Sequence, residues 1–545
     1  MKKVKSEVVM ALVLAAVMSS SLTGCKKSKV ETINDKPGQR GSITATIYDR
    51  GNFPASEGTI EENRWTKWIN ENGPVDVKFV AIPRTNSGEK LNTLFASGSA
   101  PDLIYEFAPN VKTPLYEQKQ LLPLDELIEK HSTVYKQRLA EYPQLKKAGT
   151  KSDGKVYEFG RINIMDPLRM LLIRKDWLDK LNLKVPTTTE ELFNVAKAFT
   201  KQDPDGNGKQ DTFGIALSYN SGGTMSQVFQ DVSWVVKNGK VEKDWDNARE
   251  YLDFRKKLYD DGIVDRDFLN DKNGSKATQD LVTGKLGIYP ALTNWYTLAT
   301  KEYATLKKNV PTAELIAIPY PKSPAGEFNP TMNNPVQMTA VVNAKAKDPV
   351  AVMKFVDFMC EDSTNKYLTY GDEGVHWKKG ADGFPEIIDQ EKYKNEVTSN
   401  NDYRMLFSPT KEDWNNPLGQ NFDLSIPLQK ESFEKYKEAR KIYMDIKKPY
   451  SELTHSEHMP QMPREITETA GAPSVDFSQK AIVSGNSYSV DQAIKDMKAD
   501  WDKNNGKKKE EWMQQWYEKD KNNSFLAKDM YDVLTKQSSM LKYKQ

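Results

Sequence analysis

The chain holds only 2 Cys and 4 His in 545 residues. Such scarcity removes most thiol and imidazole chemistry. There is no CxxC pair, and THSEHM at 454–459 lacks the HExxH spacing that sets two ligands on one helix face. No phosphate-cradling Walker loop occurs either. Cys360 has no intrachain partner if Cys25 is modified, so no disulfide framework exists and Cys360 reads as a small hydrophobe on a helix. A basic excess is also missing, with Lys+Arg at 78 and Asp+Glu at 76. Lys2, Lys3, Lys5 and Glu7 fall in the first 24 residues, so the two signs balance in the remainder. That balance gives no electrostatic footprint for nucleic acid.

What is present starts at the N-terminus. Three lysines precede the apolar run Val8–Met18, and small residues lead to LTGC, Leu22 to Cys25. The run is far shorter than the roughly 20 residues a membrane-spanning helix needs, and the three regions in this order read as a secretory signal with a lipobox. Residues 1–24 are therefore expected to be a signal peptide. Residues 25–40 would be a lipidated Cys25 and a flexible polar tether, placing the protein on the outer face of the cell membrane.

Strand patterns at SITATIY (42–48), VDVKFVAI (75–82) and DLIYEF (102–107) alternate with helical stretches at 57–72 and 89–96, as parallel βαβ units require. Thr187 and Thr188 each have a Glu three residues on, and Leu192, Val195, Ala196 and Phe199 form one apolar stripe, so a capped helix is expected there. Asp348 before Pro349 predicts a second one, burying Val352, Phe355, Val356 and Met359. Strand-like TFGIAL (212–217), KLGIYP (285–290) and MTAVVNA (338–344) fall between. Trp65, Trp68 and Trp177 read as core, and Trp501, Trp512 and Trp516 as packing residues of a helical tail.

The segments YDRGN at 48–52, FASGSAPDLIY at 95–105, IRKDWLDKLNLKVPTTTEEL at 173–192, GKLGIY at 284–289 and YGDEGVHW at 370–377 together resemble the extracellular solute-binding proteins of ABC importers. That family includes maltose-binding and alginate-binding proteins. The likeness is to the large lipoprotein members typical of Gram-positive bacteria, and it spans nearly the whole chain after the signal. It implies an α/β fold of two periplasmic-binding-protein-like lobes, with a ligand cleft between them and a hinge. Lobe 1 would take 41–165 plus 335–385, and lobe 2 would take 166–334 plus 386–545. The implied function is capture of an oligosaccharide by hinge closure and delivery to permease transmembrane subunits by a monomer, with no enzymatic step.

A neutral sugar needs aromatic faces for its rings and carboxylates, amides or arginines for its hydroxyls. Tyr48, Asp49 and Arg50 end the first strand, where ligands of open α/β sheets collect. Trp295 and Tyr296 follow KLGIYPALTN, and Asp372, Glu373, His376 and Trp377 make a polar, aromatic cluster after a helix. Each group has a packing alternative: Trp plugs interfaces as readily as it stacks on sugar, and Asp with Arg at a strand end also makes a structural pair. The mixed charge of these candidates favours neutral oligosaccharides over strongly acidic ones. Paired carboxylates for glycoside cleavage leave no sequence spacing. A glycan-degrading lipoprotein therefore stays an alternative, as does a non-transport sugar sensor or adhesion lipoprotein.

The loop DPDGNGKQDTFG at 203–214 matches a hard-cation template. Asp203, Asp205, Asn207, the Lys209 carbonyl and Asp211 fall at positions 1, 3, 5, 7 and 9, with Gly208 at the sharp turn. Position 12 is Gly214, so the bidentate Glu of a calcium switch is missing. Thr212 stands at position 10, where alginate-binding relatives carry an acidic residue. The expectation is a structural calcium ion; the same residues also make a metal-free Asx turn.

Overall fold

Residues 40–293, 295–381, 383–409, 413, 422–445, 448, 453, 462–467, 476–521 and 526–540 are described by the structure, a computed structural model. The signal and Cys25, the tether before Arg40, and THSEHM lie outside them. No helix among the described residues is long and apolar enough to cross a membrane.

Two sheets organise the fold. The first has the order β2-β1-β3-β11-β4, from β1 (Gly41–Asp49), β2 (Val75–Pro83), β3 (Leu103–Tyr105), β4 (Glu158–Ile162) and β11 (Val336–Val342). The second has the order β10-β5-β9-β6, from β5 (Met170–Arg174), β6 (Phe213–Ile215), β9 (Leu286–Ala291) and β10 (Leu315–Ile318). Two antiparallel hairpins, β7 (Val235–Lys237) with β8 (Lys240–Glu242) and β12 (Trp377–Lys379) with β13 (Pro385–Ile387), complete the strands. The chain is thus two-lobed α/β.

Sequence pattern accounts for strand position. In β1 one face is apolar, with Ile43, Ala45 and Ile47 buried, and on the other Thr46 and Tyr48 are buried too, as an interior parallel strand demands. β2 alternates Val75, Val77 and Phe79 inward with exposed Asp76 and Lys78, the mark of a half-covered edge strand. Beneath and between them lies one core built with the helix Pro349–Cys360, in which Val352, Phe355, Val356 and Met359 are buried. The Asp348 side chain accepts from the Ala351 N–H at 2.9 Å, capping that helix. A second core gathers the other sheet, the helix Thr189–Lys201 and helices of the C-terminal third. Here Thr188 is the cap, its hydroxyl accepting from the Glu191 N–H at 3.1 Å, while Glu191 accepts from the Thr187 N–H at 2.7 Å.

The helix expected over 57–72 is shorter, running Arg64–Asn72. Asn63 competes successfully for the N-cap: its side chain accepts from the Trp65 and Thr66 N–H groups at 2.8 and 3.2 Å, and Thr66 returns a bond to the Asn63 N–H.

Strand direction fixes which edges meet. β1, β2 and β3 run parallel, β11 is antiparallel to β3 and to β4, and so the chain leaves the first sheet from the carboxyl edge shared by β1 to β4. It enters the second sheet at Met170. β9 and β10 are antiparallel to β5 and β6 is parallel to β9, so their carboxyl ends share the entry edge. The return segment crosses beside the outgoing one, with Pro167 bridged to Met332, the Leu168 N–H donating to the Thr331 carbonyl at 3.0 Å, and the Asn333 N–H donating to the Asp166 carbonyl at 2.9 Å. Asp166 is anchored from outside by Arg440 at 2.9 Å and by the Tyr436 hydroxyl at 2.9 and 3.0 Å.

Candidate functional site

The carboxyl edge of the first sheet carries an aromatic pair ringed by arginines. Tyr48 is buried; its hydroxyl donates to Glu106 Oε1 at 2.7 Å and accepts from the Phe107 N–H at 3.1 Å. Burial and that carboxylate push its ionisation well up. Its ring stacks on half-buried Phe107 with centroids 5.7 Å apart. Arg84, the first residue after β2, places its guanidinium carbon 4.8 Å from the Tyr48 ring centre and 5.7 Å from that of Phe107. Arg161 of β4 is also 5.7 Å from Phe107, held by Gln337 Oε1 at 2.8 and 3.1 Å and by the Arg404 carbonyl at 3.0 Å. Burial, then the neighbouring Arg404, lowers the Arg161 guanidinium to about 10, which leaves it cationic at neutral pH.

The carboxyl edge of the second sheet holds a cavity of about 630 Å³, within the range that takes a drug-sized ligand. β6 delivers the chain to it, and the helix Tyr219–Val228 opens at its mouth. Tyr219 is 71 % exposed, an uncovered aromatic face on a cavity lip. Arg169, Gln227, Tyr251 and Arg255 line the wall. Arg169 is fixed by the Asn220 carbonyl at 3.1 Å and the Thr224 hydroxyl at 2.9 Å, and burial lowers its ionisation. Gln227 accepts from the Thr331 N–H at 3.0 Å, which ties the cavity wall directly to the returning crossover.

The residues singled out from sequence are placed unevenly. Tyr48 lies at the first edge, under the arginines. Arg50 makes a bidentate pair with Asp402 at 2.7 and 2.8 Å, the structural alternative, and Asp49 accepts from the Gly51 N–H at 2.8 Å. Trp295 is 1 % exposed and packs beside Tyr303, so its faces are covered by core. Half-buried Tyr296 meets Phe422 edge-on at 5.1 Å. His376 and Trp377 are buried: His376 Nε2 lies 3.1 Å from Glu396, and the Trp377 indole donates to the Gly371 carbonyl at 3.0 Å. Asp372 and Glu373 are exposed in the turn that those two rings brace. Trp295, His376 and Trp377 are thus covered by packing in this structure. Arg84, Phe107 and Tyr219, which are not among the residues singled out from sequence, lie one, two and four residues past the ends of β2, β3 and β6, near the strand ends where Tyr48 also sits.

In the acidic loop, Asp203 accepts from the Gly206, Asn207 and Gly208 N–H groups at 3.0 to 3.1 Å. Gly206 and Gly208 take φ of +72° and +77°, values that let the turn close this tightly. A hydrogen bond from Asp205 lowers Asp203, while burial and then that bond raise Asp205. The Asn207 amide spans Asp205 and Asp211 at 2.7 and 3.0 Å, and Lys285 pairs with Asp211 at 2.9 Å. The donors are all oxygens, the set a hard cation selects. Their present arrangement is closed by the loop's own bonds: among the described residues no group of three or more His, Cys, Asp or Glu is arranged to hold a metal ion.

The profile of the bacterial extracellular solute-binding proteins matches residues 57–366, more than half the chain. The chain belongs to that family. A relative is the polygalacturonan/rhamnogalacturonan-binding protein YtcQ of Bacillus subtilis, 27 % identical over 390 residues that make up 69 % of this chain and 74 % of YtcQ. Among solved structures, the fold is similar to the alginate-binding protein AlgQ2 in a form without calcium ion (TM-score 0.56, 20 % identity, 89 % of this chain and 99 % of that one). It is also similar to an EF-hand mutant of the Streptococcus pneumoniae ABC-transporter substrate-binding protein FusA in complex with fructo-nystose (TM-score 0.59, 18 % identity, 88 % and 100 %).

Proposed function

We propose that this protein captures an oligosaccharide between its two lobes outside the cell and delivers it to an ABC permease. One observation carries the reading. The cavity below exposed Tyr219 lies at the carboxyl edge of the second sheet, the edge by which the chain enters from the first, and its wall is bonded to a crossover through Gln227 and Thr331. A ligand seated there touches the segment about which the lobes would turn, so binding and closure are coupled. YtcQ, AlgQ2 and FusA are named for different saccharides, which supports the class without choosing a member.

In this reading lobe 1 comprises residues 41–165 and 335 to about 406, because Tyr403, Met405 and Leu406 pack in the first core. Lobe 2 takes 166–334 and the remainder. Cys25 carries the lipid tether, and the acidic loop binds a structural calcium ion through Asp203, Asp205, Asn207, Asp211 and the Lys209 carbonyl. The name of the FusA variant, which includes an EF-hand, supports this.

Calorimetric titration of the protein with a panel of oligosaccharides tests the function. Tyr219→Ala should weaken the best ligand about tenfold through loss of ring stacking, with an unchanged melting temperature. If no saccharide binds, the reading fails; release of shortened glycan would replace it with an enzymatic one.

A further inference from the structure

Five arginines at the two carboxyl edges stand without a counter-ion. Among the described residues, no carboxylate lies within 4.0 Å of the guanidinium nitrogens of Arg84, Arg161 or Arg404 on the first edge, or of Arg169 or Arg255 on the second. Most other described arginines are paired, Arg40, Arg64, Arg138, Arg174, Arg249 and Arg440 each having a carboxylate in that range, whereas Arg266 has none among the described residues but is exposed to water over Tyr259. The unpaired ones are not simply extended into water. Arg84, Arg161, Arg404, Arg169 and Arg255 are all half-buried. The Nε atoms of Arg404 and Arg255 are buried with no hydrogen-bond partner. The Arg161 guanidinium donates to the Arg404 backbone carbonyl at 3.0 Å, while the Arg404 guanidinium is held by neutral acceptors, Thr369 Oγ1 at 3.1 Å and Asn401 Oδ1.

Partly desolvated cations without partners are costly. The cost is retained where the missing partner arrives with the ligand. Two carboxylates do lie close to the first edge. Asp402 has both oxygens committed to Arg50, and Glu106 is buried beneath the Tyr48 hydroxyl. The acidic residues that balanced this charge in the sequence, Asp49, Asp372 and Glu373, are turned to local turns and do not reach the arginines.

We propose that the cleft reads carboxylates: its solute is an oligosaccharide bearing uronic acid residues, with one carboxylate received by Arg84 and Arg161 and another by Arg169 and Arg255. The inference rests on the oligosaccharide reading of the cleft and narrows it to acidic members. The ring faces are met by Phe107 and by Tyr219, and a guanidinium fork matches a carboxylate bidentately. Arg84 makes no hydrogen bond among the described residues, whereas Arg161 would have to share its N–H groups with Gln337 and the Arg404 carbonyl. Both guanidinium carbons beside Phe107 sit 5.7 Å from its ring centre, so they lie no further apart than twice that and reach around one sugar unit. A polyuronate carries a carboxylate on every unit and satisfies both edges at once. The charges also bear on closure. Without an anion between them the two cationic edges repel as they approach; a polyuronate turns that repulsion into attraction. A neutral sugar leaves it in place.

The test is calorimetry of the protein with short oligogalacturonates and oligomannuronates, their methyl esters, a sulfated oligosaccharide and a neutral fructo-oligosaccharide. At least one acidic oligomer should bind, with affinity falling steeply as salt rises, and esterification should weaken it tenfold or more. Arg84→Gln and Arg255→Gln, neither of which breaks an ion pair, should each weaken the acid about tenfold and leave the ester unaffected, with unchanged melting temperatures. Arg161→Lys, which keeps charge but loses the fork, should fall between wild type and Arg84→Gln. Equal binding of acid and ester, or preferred binding of the neutral sugar, would overturn the inference while the oligosaccharide reading stands. Tighter binding of the sulfated ligand would overturn the carboxylate assignment, and absence of binding by every saccharide would overturn both.

Discussion

Replacing Arg440 with Met should show whether Asp166 is held as a charge at the crossover. The Arg440 side chain is 1 % exposed and lies 2.9 Å from the Asp166 carboxylate, itself 18 % exposed. Removing one partner of a buried pair leaves an uncompensated charge, at a cost of about 3–5 kcal/mol. Tyr436 still donates to both Asp166 oxygens, and water reaches part of the carboxylate. The lower end, about 3 kcal/mol, is therefore expected at pH 8. Burial already raises the Asp166 carboxyl in the wild type, against the lowering effects of Arg440 and Tyr436, so loss of Arg440 raises it further. A carboxyl whose folded-state pKa exceeds its unfolded value favours folding at low pH and loses that advantage as pH rises through the folded value. The deficit should thus shrink by about 1.4 kcal/mol for each pH unit between the variant's folded value and the wild type's lower one. Urea denaturation of wild type, Arg440→Met and Arg440→Met/Asp166→Asn at pH 8 and pH 5 measures this, and the double variant should recover most of the loss. A deficit equal at both pH values and untouched by Asp166→Asn would refute the charge argument and leave only lost packing.

Asp357 on the helix Pro349–Cys360 accepts from the N–H groups of Thr133, Val134 and Tyr135 at 2.6 to 3.1 Å and from the Ser132 hydroxyl at 2.7 Å. Asp357→Ala should cost about 4 kcal/mol in urea denaturation, since several donors lose one charged acceptor together; a loss under 1 kcal/mol would mean water replaces it. Chelation should lower the melting temperature without abolishing saccharide binding, and an unchanged melting temperature with no metal by elemental analysis would remove calcium from the proposal. Burial pushes the Cys360 thiol up to about 12, so mass-mapped alkylation should leave it untouched in the native protein and modify it on unfolding. Rapid native labelling would contradict that packing.

Most of the fold could be read from local chemistry, because caps and stripes act over a few residues. Asp348 and Thr188 cap where their spacing says, and Trp65 and Trp177 are buried. The helix starts at Arg64, later than the pattern over 57–72 predicts, because Asn63 and Thr66 form a reciprocal cap that outcompetes the acidic run before it. The cleft was legible only in part. Residues that follow strands, as Arg84, Phe107 and Tyr219 do, obey a rule visible in sequence. Arg161 and Arg169 flank the crossover, a place defined by how two sheets connect. Whether an aromatic is a platform or a plug, as with Trp295, is settled by neighbours such as Tyr303 that packing alone supplies.

The strand order of the first sheet has a bearing on how the protein is made. β11 lies between β3 and β4, yet its residues, Val336–Val342, come after the whole second sheet in the chain. During synthesis from the N-terminal end, β4 has nothing to pair with, and β3 keeps an open edge, until β11 arrives. The second sheet draws all its strands from one uninterrupted stretch and can assemble earlier. Completion of the first therefore waits on a long-range closure, a slow and aggregation-exposed step. A chain stalled before residue 336 would present that unfinished sheet to chaperones and proteases.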